Sequence, residues 1–133
     1  MKGVFADTFF LLGLANPLDE AHLRCVVFAK EHRGPLLTTG WVLAEVGDAL
    51  AAPANRARAA RFVQAILRSA QFHVVPPTQT QLERGLAFYA RRPDKAWTLT
   101  DCISFVVMED ESLTEAATAD HHFEQAGFRS LLK

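Results

Sequence analysis

Residues 99–108 read Leu99-Thr100-Asp101-Cys102-Ile103-Ser104-Phe105-Val106-Val107-Met108, with one carboxylate at the head of an almost wholly apolar run. Thr98 and Thr100 each suit a helix start, and Thr98-x-x-Asp101 has the spacing at which an N-cap hydroxyl pairs with an acidic side chain at N3. From Cys102 to Met108 only Ser104 is polar, so a helix here is buried on nearly every side. The β-branched Ile103, Val106 and Val107 would also suit a buried strand by periodicity alone. The caps ahead of the run and Glu109-Asp110-Glu111 behind it favour the helix. Asp101 then stands at the rim of the core, where it either serves only its own helix's N–H groups or works with residues from elsewhere.

The rest of the chain bounds that choice. A length of 133 residues predicts one domain, residues 1–133, large enough to bury a proper core. Half the residues are apolar and 22% are charged, which fits a compact fold rather than a disordered chain. A net charge of −1 gives no global basic field, so nucleic-acid binding would need a local patch. Cys25 and Cys102 sit in apolar runs without CxxC or Cys/His spacing, which predicts buried free thiols rather than a disulfide or zinc site. An acid at position 7 comes too early for a signal peptide, and no run approaches the ~20 apolar residues of a membrane span. The expected protein is soluble and cytoplasmic, with no membrane partner.

Strands and helices alternate along the sequence. Gly3-Val-Phe-Ala6 is a short strand ended by Asp7-Thr8, and Phe9 to Leu14 starts a helix that Asn16-Pro17 breaks. An acid at the end of a first strand lies where open α/β sheets place ligands, although Asp7 could equally be a helix N-cap. Asp19 to His32 reads as an amphipathic helix with Leu23, Val26, Val27 and Lys30 at helical spacing, stopped by Gly34-Pro35. After the strand Leu36-Leu37-Thr38, residues 41–52 show one apolar face of Val42, Val46, Ala49 and Leu50. Glu45 falls at the edge of that face, where a carboxylate is costly unless paired, protonated or metal-bound, whereas Asp48 turns toward solvent.

Pro53-Ala-Asn55 separates this helix from the next, Arg56 to Gln71, whose Phe62, Ile66 and Leu67 point inward. Arg58, Arg61 and Arg68 share one of its faces, a stripe that is either solvated or phosphate-binding. Phe72 to Val75 is a strand, and Thr78 caps a helix to about Arg91 with Leu82, Leu86 and Tyr89 or Ala90 at core spacing. The loop Arg91-Arg92-Pro-Asp-Lys95-Ala-Trp97, immediately before Asp101, is better placed than the arginine stripe to contact a phosphate chain. Glu115 to Ala119 is a weak strand ending at Asp120, and Arg129 to Leu132 can add an edge strand. His121-His122 reads as a surface turn rather than a metal pair, because adjacent residues do not share a helix face.

Such alternation implies a parallel sheet covered on both faces, with right-handed crossovers. Asp7 and Asp120 then meet at one rim, with Glu45 and Asp101 brought in by helices. Four carboxylates converging without a matching cation are either partly protonated or hold divalent metal. All-oxygen ligands select Mg²⁺ or Mn²⁺ over zinc.

The order Asp7-Thr8 after a first strand, Glu45 in a mid-chain helix, Thr100-Asp101-Cys102-x-Ser104-Phe105 and Thr118-Ala-Asp120-His-His-Phe123 resembles the PIN-domain family. Within it the pattern is similar to the VapC-like toxin ribonucleases of toxin–antitoxin pairs. The resemblance covers essentially the whole chain. It implies a three-layer α/β/α sandwich around a central parallel sheet and a Mg²⁺- or Mn²⁺-dependent endoribonuclease. Carried over by position, it makes Asp7, Glu45, Asp101 and Asp120 catalytic and Asp7, Asp101 and Asp120 metal ligands. Thr8, Thr98 and Thr118 would be supporting hydroxyls, and Arg91, Arg92 and Lys95 would bind substrate. The implied partners are an RNA substrate, a cognate antitoxin protein and a second copy in a homodimer. Glu45 could be a ligand through water or a base toward the nucleophile. A haloacid-dehalogenase-type phosphotransferase would need an acid where Phe9 stands, and a nucleotide-binding fold would need a glycine-rich first turn, which Asp7 to Gly13 lacks. The remaining rival is a non-enzymatic module whose acidic pocket docks a basic peptide.

Overall fold

The computed structural model describes residues 3–133. Among them five short strands form one parallel sheet: β1 (Val4–Ala6), β2 (Leu36–Thr39), β3 (Phe72–Val75), β4 (Glu115–Ala117) and β5 (Arg129–Ser130). Their order is β3-β2-β1-β4-β5. Each neighbouring pair is parallel, so every connection must cross the sheet and carries at least one helix. Those helices are α1 (Thr8–Ala15), α2 (His22–Glu31), α3 (Gly40–Ala49), α4 (Pro53–Arg68), α5 (Gln79–Arg91), α6 (Leu99–Asp110) and α7 (His121–Gln125). They complete the expected three-layer α/β/α architecture. The central strands are buried along their whole length, as strands covered on both faces must be. No helix among the described residues is long and apolar enough to cross a membrane.

The run from Cys102 to Met108 is helical and buried throughout, and Thr98 and Asp101 form the reciprocal capping box that their spacing implies. Around α6, Phe105 packs edge-on against Trp97 and Phe123 at 5.3 and 5.0 Å between ring centroids. Both cysteines are free and buried, and burial pushes each thiol up to about 11. They are inert core residues.

Three helix faces differ from the sequence expectation. In α2 the buried residue is Cys25, while Leu23 and Val27 face solvent. The reason lies in α1: a Cβ at Gly13 would stand 2.4 Å from Cys25 Sγ, so small residues let these helices approach on the Cys25 side. In α5 the inward residue is Gly85, packed on Ile103, and Leu86 and Tyr89 turn outward. Helix α4 starts at Pro53, which occupies the first turn instead of separating two helices, and its Leu67 is exposed.

Chain order reverses between β1 and its neighbour β4, because β2 and β3 extend the sheet on one side and β4 and β5 on the other. The crevice beyond the carboxyl ends of β1 and β4 is therefore the place where such a sheet receives a ligand. Asp7 follows β1, and Thr118 and Asp120 follow β4.

Candidate active site

Asp7 is the N-cap of α1, and its Oδ1 accepts the Phe10 N–H at 3.3 Å. Its other oxygen, Oδ2, accepts a 2.9 Å hydrogen bond from Thr118 Oγ1. Only 5% of Asp7 is exposed. Burial pushes its carboxyl from 3.8 up to about 7, the nearby Asp120 charge adds to the rise, and the bonds from Thr118 and Phe10 oppose it.

From Asp7 a hydrogen-bonded path runs to the other acids. Thr118 Oγ1 accepts the backbone N–H of Asp120 at 2.9 Å. Asp120 caps α7 by accepting the N–H of His122 at 2.9 Å. His122 Nδ1 then donates to Asp101 Oδ2 at 2.9 Å and lies 3.5 Å from Asp120 Oδ1. The same Asp101 oxygen accepts the Thr98 N–H at 3.0 Å, and Thr98 Oγ1 accepts the Asp101 N–H at 3.0 Å. Two strand ends and two helix starts thus bring Asp7, Asp120 and Asp101 together. Glu45 joins through the neighbour of Asp7, because Thr8 Oγ1 donates to Glu45 Oε1. Thr8, Thr98 and Thr118 each orient one member of the acidic set.

His122 is the residue that sequence reasoning missed. Of the adjacent histidines, His121 has a side chain 68% exposed and fits the surface turn, but the His122 side chain is 18% exposed and turned onto the acids. The two rings lie beside each other, 4.7 Å between centroids, and differ in exposure rather than in direction. The usable signal was position, two residues past the N-cap Asp120 in a helical turn.

The loop cations are otherwise engaged. Arg92 grips Asp94 through two bonds of 3.0 and 2.9 Å and lies 5.1 Å over the Trp97 ring. Lys95 lies 5.9 Å from the same ring, and Arg91 lies 5.2 Å over Phe88. Trp97 Nε1 donates to Gln125 at 3.0 Å, which ties the loop to α7.

Among the described residues, neither lysine nor arginine pairs with Asp7, Asp101 or Asp120; their ionisable partners are the imidazoles of His122 and, 3.8 Å from Asp120, His121. Hard carboxylate oxygens around such a deficit are the donor type that Mg²⁺ or Mn²⁺ prefers. Asp120, His121 and His122 also place one donor atom each within 4.8 Å of one another, a set with mixed oxygen and nitrogen donors.

A PIN domain model matches residues 4–129. The fold is similar to VapC20 of Mycobacterium tuberculosis, described as a sarcin-ricin loop cleaving toxin, with a TM-score of 0.90 at 24% identity over 97% of this chain and 98% of that one. It is also similar to FitAcB from Neisseria gonorrhoeae, at TM-score 0.68 and 17% identity over 96% of this chain and 95% of that chain. A third similar structure is VapBC2 from Rickettsia felis bound to a DNA fragment from their promoter, at TM-score 0.67 and 11% identity, covering 96% of each chain. No curated protein matches by sequence. The family model spans nearly the whole chain, and the likeness to these structures extends over the same length: the chain belongs to the PIN-domain family.

Proposed function

We propose that this chain is a divalent-metal-dependent endoribonuclease and the toxin of a toxin–antitoxin pair. The observation that carries the reading is the continuous path Asp7–Thr118–Asp120–His122–Asp101, a set of carboxylates at the sheet's chain-reversal crevice without a lysine or arginine. Membership of the PIN family supports nuclease chemistry, and the likeness to a toxin that cleaves the sarcin-ricin loop favours RNA.

A cation held by Asp7, Asp101 and Asp120 would supply positive charge to the scissile phosphate and lower the pKa of a water. Thr118 keeps the Asp7 oxygens turned into the crevice, and Thr98 does the same for Asp101. Glu45, with one oxygen taken by Thr8, keeps the other to accept a hydrogen bond and then the proton of the attacking water. A splayed RNA loop or single strand suits this crevice, since one phosphate must reach a recessed rim.

The antitoxin would cover the same acids. An arginine in its tail can bridge two carboxylates bidentately and compete with metal for their oxygens. The likeness to VapBC2 supports a partner of this kind.

The test is cleavage of an RNA stem-loop by the purified chain in Mn²⁺, with chelator and Asp101→Asn in parallel. Cleavage lost in both arms is the expected result. Cleavage that survives chelator overturns the metal-dependent reading, and binding of an arginine peptide without any cleavage favours a docking module.

A further inference from the structure

The chain's net charge of −1 hides one strongly basic element. Between Asp48 and Glu83 there is no acid, and the four cations of that stretch, Arg56, Arg58, Arg61 and Arg68, all lie on α4. Elsewhere four cations are ion-paired: Arg84 with Asp110, Arg92 with Asp94, Arg129 with Glu115 and Lys133 with Glu124. No arginine of α4 has a carboxylate partner among the described residues. Arg56 donates only to the Ala51 carbonyl, at 2.9 Å. Arg58 donates to Asn55 Oδ1 at 2.9 Å, and its Nε is buried with no partner.

The topology puts the first half of α4 on the side of the acids. Helix α3 leaves the carboxyl end of β2 and carries Glu45; its far end, at Gly47 and Asp48, shares a cleft with Arg56, Ala59 and Val63 of α4. The other end of α4 returns to the opposite pole, where the Leu36 N–H donates to the Gln71 carbonyl at the start of β2 and β3. A helix of 16 residues is roughly 24 Å long. A strand of 4 residues is roughly 13 Å. Arg68 closes α4 near that pole, whereas Arg56, near the helix start, lies against the end of α3. Arg58 and Arg61, three residues apart, share the outward side.

We infer that Arg56, Arg58 and Arg61 form a second RNA contact, holding phosphates that flank the one entering the carboxylate crevice. This deepens the ribonuclease reading and rests on it. Such contacts carry no base information and set register and affinity. The loop cations Arg91, Arg92 and Lys95, held by Asp94 and aromatic faces, are the weaker candidates for that task.

The test measures affinity for an RNA stem-loop against salt concentration in chelator, with Mn²⁺-dependent cleavage of the same RNA by the unaltered protein measured alongside. Absence of cleavage removes the ribonuclease reading by itself. Because the arginines need no metal, binding persists in chelator. Changing Arg56, Arg58 and Arg61 to Gln lowers the slope of log affinity against log salt by about 2, at roughly 0.7 per phosphate contact. The corresponding Lys changes keep the slope, and Arg61→Gln alone lowers it by roughly 0.7 should the triple variant not fold. Gln changes at Arg91, Arg92 and Lys95 lower it less. A slope unchanged in the α4 variants, an equal or larger fall in the loop variants, or loss of binding in chelator overturns the inference. An unchanged slope with cleavage intact would assign the arginines to an acidic protein instead.

Discussion

Thr118 stands between Asp7 and Asp120: its hydroxyl gives its one proton to Asp7 Oδ2 at 2.9 Å and accepts the Asp120 N–H at 2.9 Å. A hydroxyl used in both directions has no freedom left to rotate, so it locks the end of β1 to the turn after β4. This is the seam at which the chain order of the sheet reverses.

Thr118→Val keeps the shape of the side chain and removes both bonds. The buried Asp7 loses a donor and the Asp120 N–H loses its acceptor, for a loss of about 1–3 kcal/mol. Cleavage should fall roughly 10–100-fold, the usual cost of removing the group that orients a ligand. Thr118→Ser restores both. Thermal melting and a cleavage assay decide it, and a valine variant equal to wild type in both would remove Thr118 from the site.

Asp7 gives a pH dependence with a definite sign. Its carboxyl titrates near 7 when folded and near 3.8 when unfolded, chiefly because burial disfavours the charge. Between those values the folded chain holds a proton that the unfolded chain has released, so metal-free stability falls as pH rises through this window. The ceiling is about 4 kcal/mol, near 1.4 per unit. Asp7→Asn does not titrate. In chelator its advantage over wild type should grow from near nothing at about pH 4 to its full value by about pH 7. A difference that stays constant across the window would show that Asp7 carries no raised pKa.

What the sequence revealed and what it hid divide along physical lines. Strand ends and helix caps are local, so the Thr98–Asp101 box and the positions of Asp7 and Asp120 were legible from spacing. Helix faces are set by the partner helix, and there the rule of large apolar residues inward failed. Leu86 and Tyr89 lost the inner face of α5 to Gly85, because α6 approaches too closely for a side chain. Leu23 and Val27 lost that of α2 to Cys25 for the same reason at Gly13. His122 was hidden because its role depends on Asp101, 21 residues away.

That close approach makes Gly85→Ala and Gly47→Ala opposite in effect. A Cβ at Gly85 would stand 2.3 Å from Ile103 Cγ1 and 3.2 Å from its Cα, so α5 must move off α6. Overpacking of about 1–3 kcal/mol outweighs or cancels the roughly 1 kcal/mol gained in helix propensity. At Gly47 a Cβ meets nothing within 4 Å, leaving that propensity gain unopposed. Melting temperatures should fall for the first and rise for the second; a rise at Gly85 would mean the helices are not in contact there.

His122 gives the sharpest test of how the acids are held without metal. Its Nδ1 is shared between Asp101 at 2.9 Å and Asp120 at 3.5 Å, and Asp120 also has the exposed His121 Nδ1 at 3.8 Å. Removing it as His122→Ala leaves Asp101 with the Thr98 N–H, and Asp120 with the backbone of its own turn and the exposed His121 ring. The two carboxylates then repel with less compensation, and the variant should melt below wild type in chelator. Mn²⁺ binds only the folded arrangement, so it stabilises by mass action and takes over the lost compensation. The rise in melting temperature on adding Mn²⁺ should therefore be larger in the variant, with the two proteins converging at saturation. If the imidazole is instead a required ligand, the variant's rise shrinks and the gap widens with metal. Titrating Mn²⁺ against both proteins separates these outcomes, and a widening gap would move His122 from a stand-in for the cation to part of the donor set, beside Asp120 and His121.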